Sequence, residues 1–120
     1  MKNKNILQSI KCASHGIIDC FRHERNFSEY ALIALIFLIF NILLSVRTWE
    51  YIIFTVLVCA VFSAEFINTA IERLLDKCDS EISEENKFIK DAAAGGVLSM
   101  AIAFFIAEGL ILIPKLVERY

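Results

Sequence analysis

Glu65, Asn68, Glu72 and Asp76 recur at intervals of three and four in the stretch EFINTAIERLLD, which directly follows an uncharged apolar run at 51–64. On a helix turning about 100° per residue, these four and Thr69 fall within roughly 100° of arc. Phe66, Ile67, Ala70, Ile71, Leu74 and Leu75 fill the remainder. Carboxylates one or two turns apart attract a hard divalent cation. Mg²⁺ is typically held by one or two carboxylates, with water and phosphate oxygens completing its octahedron. A positioned carboxylate can also accept the proton of a hydroxyl nucleophile. Ionisable groups at membrane depth are costly and mark function by default. The alternative, a helix end emerging into water, suits Asp76 better than Glu65.

A second polar group lies at NKFIKDAAAGG, where Lys90 and Asp91 adjoin and Lys87 stands one turn earlier. A lysine there could meet phosphate. A Walker A loop and a kinase-type Gly-rich loop are both absent, so a nucleotide site would be built from helix faces. His15 and His23 are too far apart for an i, i+4 zinc pair. The small residues Ala92, Ala93, Ala94, Gly95 and Gly96 predict close helix packing in a membrane.

These residues need elements to hold them. The chain has 120 residues, enough for one domain, and 58 % are hydrophobic, above the roughly 45–50 % of soluble domains. Three uncharged or nearly uncharged runs carry the excess: 30–46, 51–64 and 92–113, the last interrupted by Glu108. The second is long enough to span only if Trp49 and the acidic stripe join the same helix, and the third only if Glu108 sits near a membrane surface. A soluble three-helix bundle would need polar stripes, and YALIALIFLIF has none. The expected fold is an all-α membrane protein, one domain over 1–120. An amphipathic surface helix at about 5–25 precedes three transmembrane helices at about 29–47, 49–76 and 86–113. Ser28, Thr48 and Ser83 are the expected caps, and the third span should end before Pro114.

No cleavable signal peptide is apparent. Lys2, Lys4, Lys11, Arg22 and Arg25 precede the first span, and Arg73, Lys77, Lys87 and Lys90 flank the second loop. Only Arg47 lies in the first loop, and Lys115 and Arg119 in the tail. The positive-inside rule therefore places the N-terminus and the acidic stripe on the cytoplasmic side. A net charge of −2 gives no basic patch, so no nucleic-acid partner is expected. Cys12, Cys20, Cys59 and Cys78 form no C-x-x-C pair and read as reduced.

The pattern E-x-x-N-T-A-I-E-x-x-x-D, a short polar loop, then K-D-x-A-A-G-x-V resembles the small prokaryotic diacylglycerol kinase family, which includes the undecaprenol kinases. ERNF (24–27) and the preceding HGIIDCF match as well, so the resemblance runs from about Ile10 to Pro114. It implies a homotrimer in the bacterial cytoplasmic (inner) membrane, transferring the γ-phosphate of ATP, with Mg²⁺, to a lipid alcohol. By resemblance Glu65 is the general base and Asn68 a polar residue of the same site. Glu72 and Glu24 hold the metal. Lys90 contacts phosphate, with Asp91 its acidic neighbour in the nucleotide site, and Asp76 is a further motif position. Tyr30 and His23 depart from the family pattern, which often has histidine and asparagine there. The acceptor is diacylglycerol or undecaprenol, with ERNF and AAGGV leaning toward undecaprenol. A small proton-coupled transporter and a non-catalytic membrane adaptor are the competing functions. A transporter of this size would be expected to have four spans and one dominant acid, and an adaptor gives no reason for a clustered polar face.

Overall fold

The computed structural model describes residues 5–78 and 83–119. Its elements are α1 (Ile6–His23), α2 (Arg25–Leu43), α3 (Thr48–Cys78) and α4 (Glu84–Arg119). Three of them, α2, α3 and α4, are long and apolar enough to cross a membrane. Most of each apolar stretch is left exposed. Leu32, Leu35, Ile42, Ile52, Val56, Leu98, Ile106 and Leu110 all face outward. Such surfaces are stable against hydrocarbon and not against water.

Local chemistry sets the helix ends. Asn5 caps α1 by accepting from the Gln8 backbone N–H at 2.8 Å. Glu24, in extended conformation (φ −117°, ψ 117°), interrupts the helix. α2 starts immediately after it, so the expected cap Ser28 lies inside α2. The turn into α3 needs left-handed backbone at Ser45 (φ 52°), a conformation that costs a non-glycine residue about 1–2 kcal/mol. Glu50 then accepts from the Arg47 backbone N–H at 2.8 Å, fastening the first turn of α3. Ser83 does cap α4, accepting from the Asn86 N–H at 3.0 Å.

α4 does not stop at Pro114, as expected from its missing donor, but continues to Arg119. Lys115 lies in this extension and reaches Glu50 of α3 at 3.1 Å, an ion pair that ties the extra turn down. Glu108 is wholly buried within the chain, near the C-terminal end of α2. The small-residue patch is not used for packing within the chain, since a Cβ added at Gly95 or Gly96 meets nothing within 4 Å.

α3 and α4 form the most extensive helix pair. Aromatic rings join the layers at two depths. Phe37 of α2 meets Phe104 of α4 edge-on at 5.1 Å, and Phe104 meets Phe54 of α3 at 5.9 Å. Nearer the acidic stripe, Phe27 of α2 is 0 % exposed. It packs between Phe21 of α1 at 5.4 Å and Phe66 of α3 at 4.8 Å. At the opposite end Val46, Ile111 and Leu112 close the core.

Phe27 therefore holds three helices together beside the acidic stripe. Phe27→Ala is expected to cost about 3 kcal/mol, the low end of the aromatic range because lipid leaves mainly the packing term. Unfolding in mixed micelles would measure it. A loss below about 1 kcal/mol would mean the cluster does not anchor α1.

Candidate active site

The site is built where the start of α2, the last four turns of α3 and the first two turns of α4 converge. Glu65 is 3 % exposed and directly follows the long apolar stretch of α3. The side chains of Asn26, Asn68 and Tyr30 approach its carboxylate and act on it as hydrogen-bonding neighbours. Two of those neighbours come from α2, so the buried acid is partnered across a helix interface. A buried carboxylate without such neighbours would cost several kcal/mol.

Asn68 stands one turn further along α3 and is 7 % exposed. Its amide nitrogen donates to Glu72 Oε1 at 3.2 Å, and its side chain stands beside Glu65. The amide oxygen, Oδ1, is buried and has no hydrogen-bond partner. An acceptor left bare in the middle of a polar cluster calls for a donor or a cation. Thr69, beside it, is also buried. The structure thus brings Glu65, Asn68 and Glu72 into one hydrogen-bonded row, as the helical spacing requires.

The other predicted site residues take different partners. Glu24 is engaged by Arg73, whose Nη2 and Nε donate to Glu24 Oε1 at 2.9 and 3.2 Å. That pair ties the α1–α2 break to α3. Asp76 accepts from Lys90 Nζ at 2.7 Å, joining the C-terminal end of α3 to the start of α4. The charge of Glu72 also acts on Lys90, so the lysine belongs electrostatically to the acidic row. Asp91 pairs with Lys87 at 2.6 Å along the exposed face of α4 and is not drawn into that row.

Cys20 lies at the edge of this group, close enough to feel Glu24, Arg73 and Glu65. Burial pushes its thiol up and outweighs the opposing Arg73 guanidinium. It remains the neutral thiol, which is a poor nucleophile.

The donors fit a hard cation. Glu72 and Asn68 offer oxygen only, and among the described residues no set of three or more His, Cys, Asp and Glu side chains converges on one point. Mg²⁺ needs no such set, because one or two carboxylates suffice when phosphate and water complete the shell. Glu24 would have to exchange Arg73 for the metal in order to join.

Asn26, Tyr30 and Arg73 were not legible as site residues. Asn26 and Tyr30 approach Glu65 from α2, and no spacing within α3 points to them. A signal for Tyr30 did exist, since it occupies a position where the motif family often carries another polar ring.

Comparison with known proteins gives the family. The sequence profile of the prokaryotic diacylglycerol kinase family matches residues 11–112. An undecaprenol kinase of Bacillus subtilis is 38 % identical over 104 residues, covering 87 % of this chain and 85 % of that one. A diacylglycerol kinase of Synechocystis sp. is 32 % identical over 115 residues, covering 95 % of this chain and 66 % of the other. One from Sinorhizobium sp. is 32 % identical over 83 residues, covering 69 % and 56 %. Three spanning helices, a buried acid with its neighbours in register, and these matches lead to one assignment: the chain is a kinase and belongs to the prokaryotic diacylglycerol kinase family.

Proposed function

We propose that this protein transfers the γ-phosphate of ATP, with Mg²⁺, to the hydroxyl of a lipid alcohol. The observation that carries this reading is Glu65, a buried carboxylate with Asn26, Tyr30 and Asn68 around it, beside the bare Asn68 oxygen. Its surroundings suit an acid that must meet a lipid hydroxyl before water does. Undecaprenol is the favoured acceptor over diacylglycerol. The support is the ERNF and AAGGV motifs and the 38 % identity to an undecaprenol kinase over most of both chains.

On this reading Glu65 takes the proton of the attacking hydroxyl, and Asn26, Tyr30 and Asn68 fix the orientation of its carboxylate. Glu72 and the Asn68 oxygen would hold the metal, with Glu24 as a further ligand if released from Arg73. Bound there, Mg²⁺ would neutralise charge on the phosphate oxygens of the nucleotide. Lys90 contacts the nucleotide phosphates, and Asp76 keeps its ammonium directed at the acidic row. Asp91 orients Lys87 at the outer edge of the nucleotide site. Attack by a lipid hydroxyl gives a lipid phosphate and ADP, with the hydroxyl proton left on Glu65.

The same proposal covers the setting. α1 lies on the membrane surface, supported by Ile6, Leu7, Ile10, Ile17 and Ile18, which are all exposed. The protein acts as a homotrimer in the bacterial cytoplasmic membrane, with its N-terminus and site toward the cytoplasm. Open space over Gly95 and Gly96 leaves a face on which another copy can pack.

Transfer from labelled ATP in mixed micelles, with undecaprenol and diacylglycerol offered separately, tests the reading. Label is expected in the lipid, more from undecaprenol. Glu65→Gln should lower kcat by about 10²–10⁴-fold, the usual contribution of a general base. Folded protein that labels neither lipid would overturn the proposal.

Glu72→Gln removes one metal oxygen's charge. It is expected to raise the Mg²⁺ concentration needed for half-maximal rate by tenfold or more, on the order of a lost charge-assisted contact. An unchanged Mg²⁺ titration would remove Glu72 from the metal site.

A further inference from the structure

A second buried polar cluster lies at the other end of the bundle, apart from the candidate active site. Asn41 of α2 and Glu108 of α4 are both 0 % exposed. Asn41 Nδ2 donates to Glu108 Oε1 at 2.7 Å and to the Phe37 carbonyl at 2.7 Å. Among the described residues three buried side-chain polar atoms have no hydrogen-bond partner, and two of them are Asn41 Oδ1 and Glu108 Oε2. They are the two remaining oxygens of this one pair.

We infer that Glu108 carries a proton on Oε2 and donates it to Asn41 Oδ1, closing a two-bond acid–amide ring that makes this pair a proton-binding site of the bundle. An ionised carboxylate only accepts hydrogen bonds, and so does an amide oxygen. Two such oxygens, the remaining ones of a pair already joined at 2.7 Å, cannot satisfy each other. The neutral acid supplies the one missing donor, and a single proton then satisfies both orphan atoms. Carboxylic acid and primary amide are complementary in this way, each with one donor and one acceptor.

The surrounding charges give no other partner. Glu50 of α3 faces Glu108 with its own negative charge. The nearby ammonium of Lys115, on α4, is held by Glu50 at 3.1 Å. Arg47, in the turn before α3, gives its backbone N–H to Glu50 as well. Tyr51 of α3 donates its hydroxyl to the Asn41 backbone carbonyl at 3.5 Å and not to the side chain. An ionised Glu108 would therefore stand unpaired beside a second carboxylate in a dry interior, which is strongly unfavourable. The polar tie also has a structural task, because α2 and α4 otherwise touch only slightly.

The test uses the full chain in detergent micelles at neutral pH. The infrared difference between wild type and Glu108→Gln should show loss of a protonated-carboxyl stretch. Loss of a carboxylate stretch instead would overturn the inference. Thermal unfolding supplies a second reading. Glutamine reproduces the donor and acceptor pattern of the neutral acid, so Glu108→Gln should melt with wild type, while Glu108→Ala should melt several degrees lower or fail to fold. A glutamine variant as unstable as the alanine one would refute the pair. A small cation could bridge the same two oxygens. Melting of wild type that rises with added Na⁺ or K⁺, and of Glu108→Gln that does not, would assign the site to the cation and reject the proton.

Discussion

Hydrocarbon offers no hydrogen bonds, so every polar side chain carried below the membrane surface must be partnered from within the protein. This constraint organises the molecule. α2 is the most apolar-looking of the helices, yet it supplies Asn26 and Tyr30 to Glu65 at one end and Asn41 to Glu108 at the other. Glu65 and Glu108 are thereby each matched with an amide of α2, while the third buried acid, Glu50, is held by Lys115 and the Arg47 backbone N–H. Aromatic packing fills the space between the two polar levels, through Phe27, Phe62 and Phe66 on one side and Phe37, Phe54 and Phe104 on the other. The rings give contact area where lipid weakens the hydrophobic drive.

The same constraint explains why the candidate active site can hold unsatisfied groups. Satisfying every atom would leave nothing with which to bind substrate. Asn68 gives its amide nitrogen to Glu72, stands beside Glu65 and keeps its oxygen bare. Toward the membrane surface the chemistry changes character. Asp76 with Lys90, Glu24 with Arg73 and Lys87 with Asp91 are exposed ion pairs. Such pairs contribute little stability and exchange partners readily. Deep groups are fixed and shallow groups are exchangeable, which suits a site where one substrate comes from lipid and the other from water.

Much of this was legible in the sequence. Helical periodicity put Glu65, Asn68 and Glu72 on one face, and run length marked three helices able to span. What the sequence did not reveal depended on tertiary contact. Asn41 and Glu108 are 67 positions apart, and nothing local to either suggests the other. Glu108 read as an interfacial acid because an unpartnered one would have to be. Pro114 read as a helix stop because its ring removes a donor, and the Glu50–Lys115 pair that holds the following turn joins different helices. Arg73 was counted for topology only. Its pairing with Glu24 depends on the single extended residue that turns α1 away from α2.

Helix length has a further consequence. α3 has 31 residues and α4 has 36, so they measure about 46 and 54 Å, against a hydrocarbon core of about 30 Å. Along α3, Glu65 and Asp76 are about 16 Å apart, half that core. On the proposed reading the acidic row is therefore a scale of depth, with Glu65 toward the bilayer interior and Asp76 toward its surface. A thicker or thinner bilayer shifts the lipid hydroxyl along this scale while the protein's markings stay fixed. Membrane thickness thereby becomes a coordinate of the reaction, coupling the bilayer's composition to how well the two substrates are aligned.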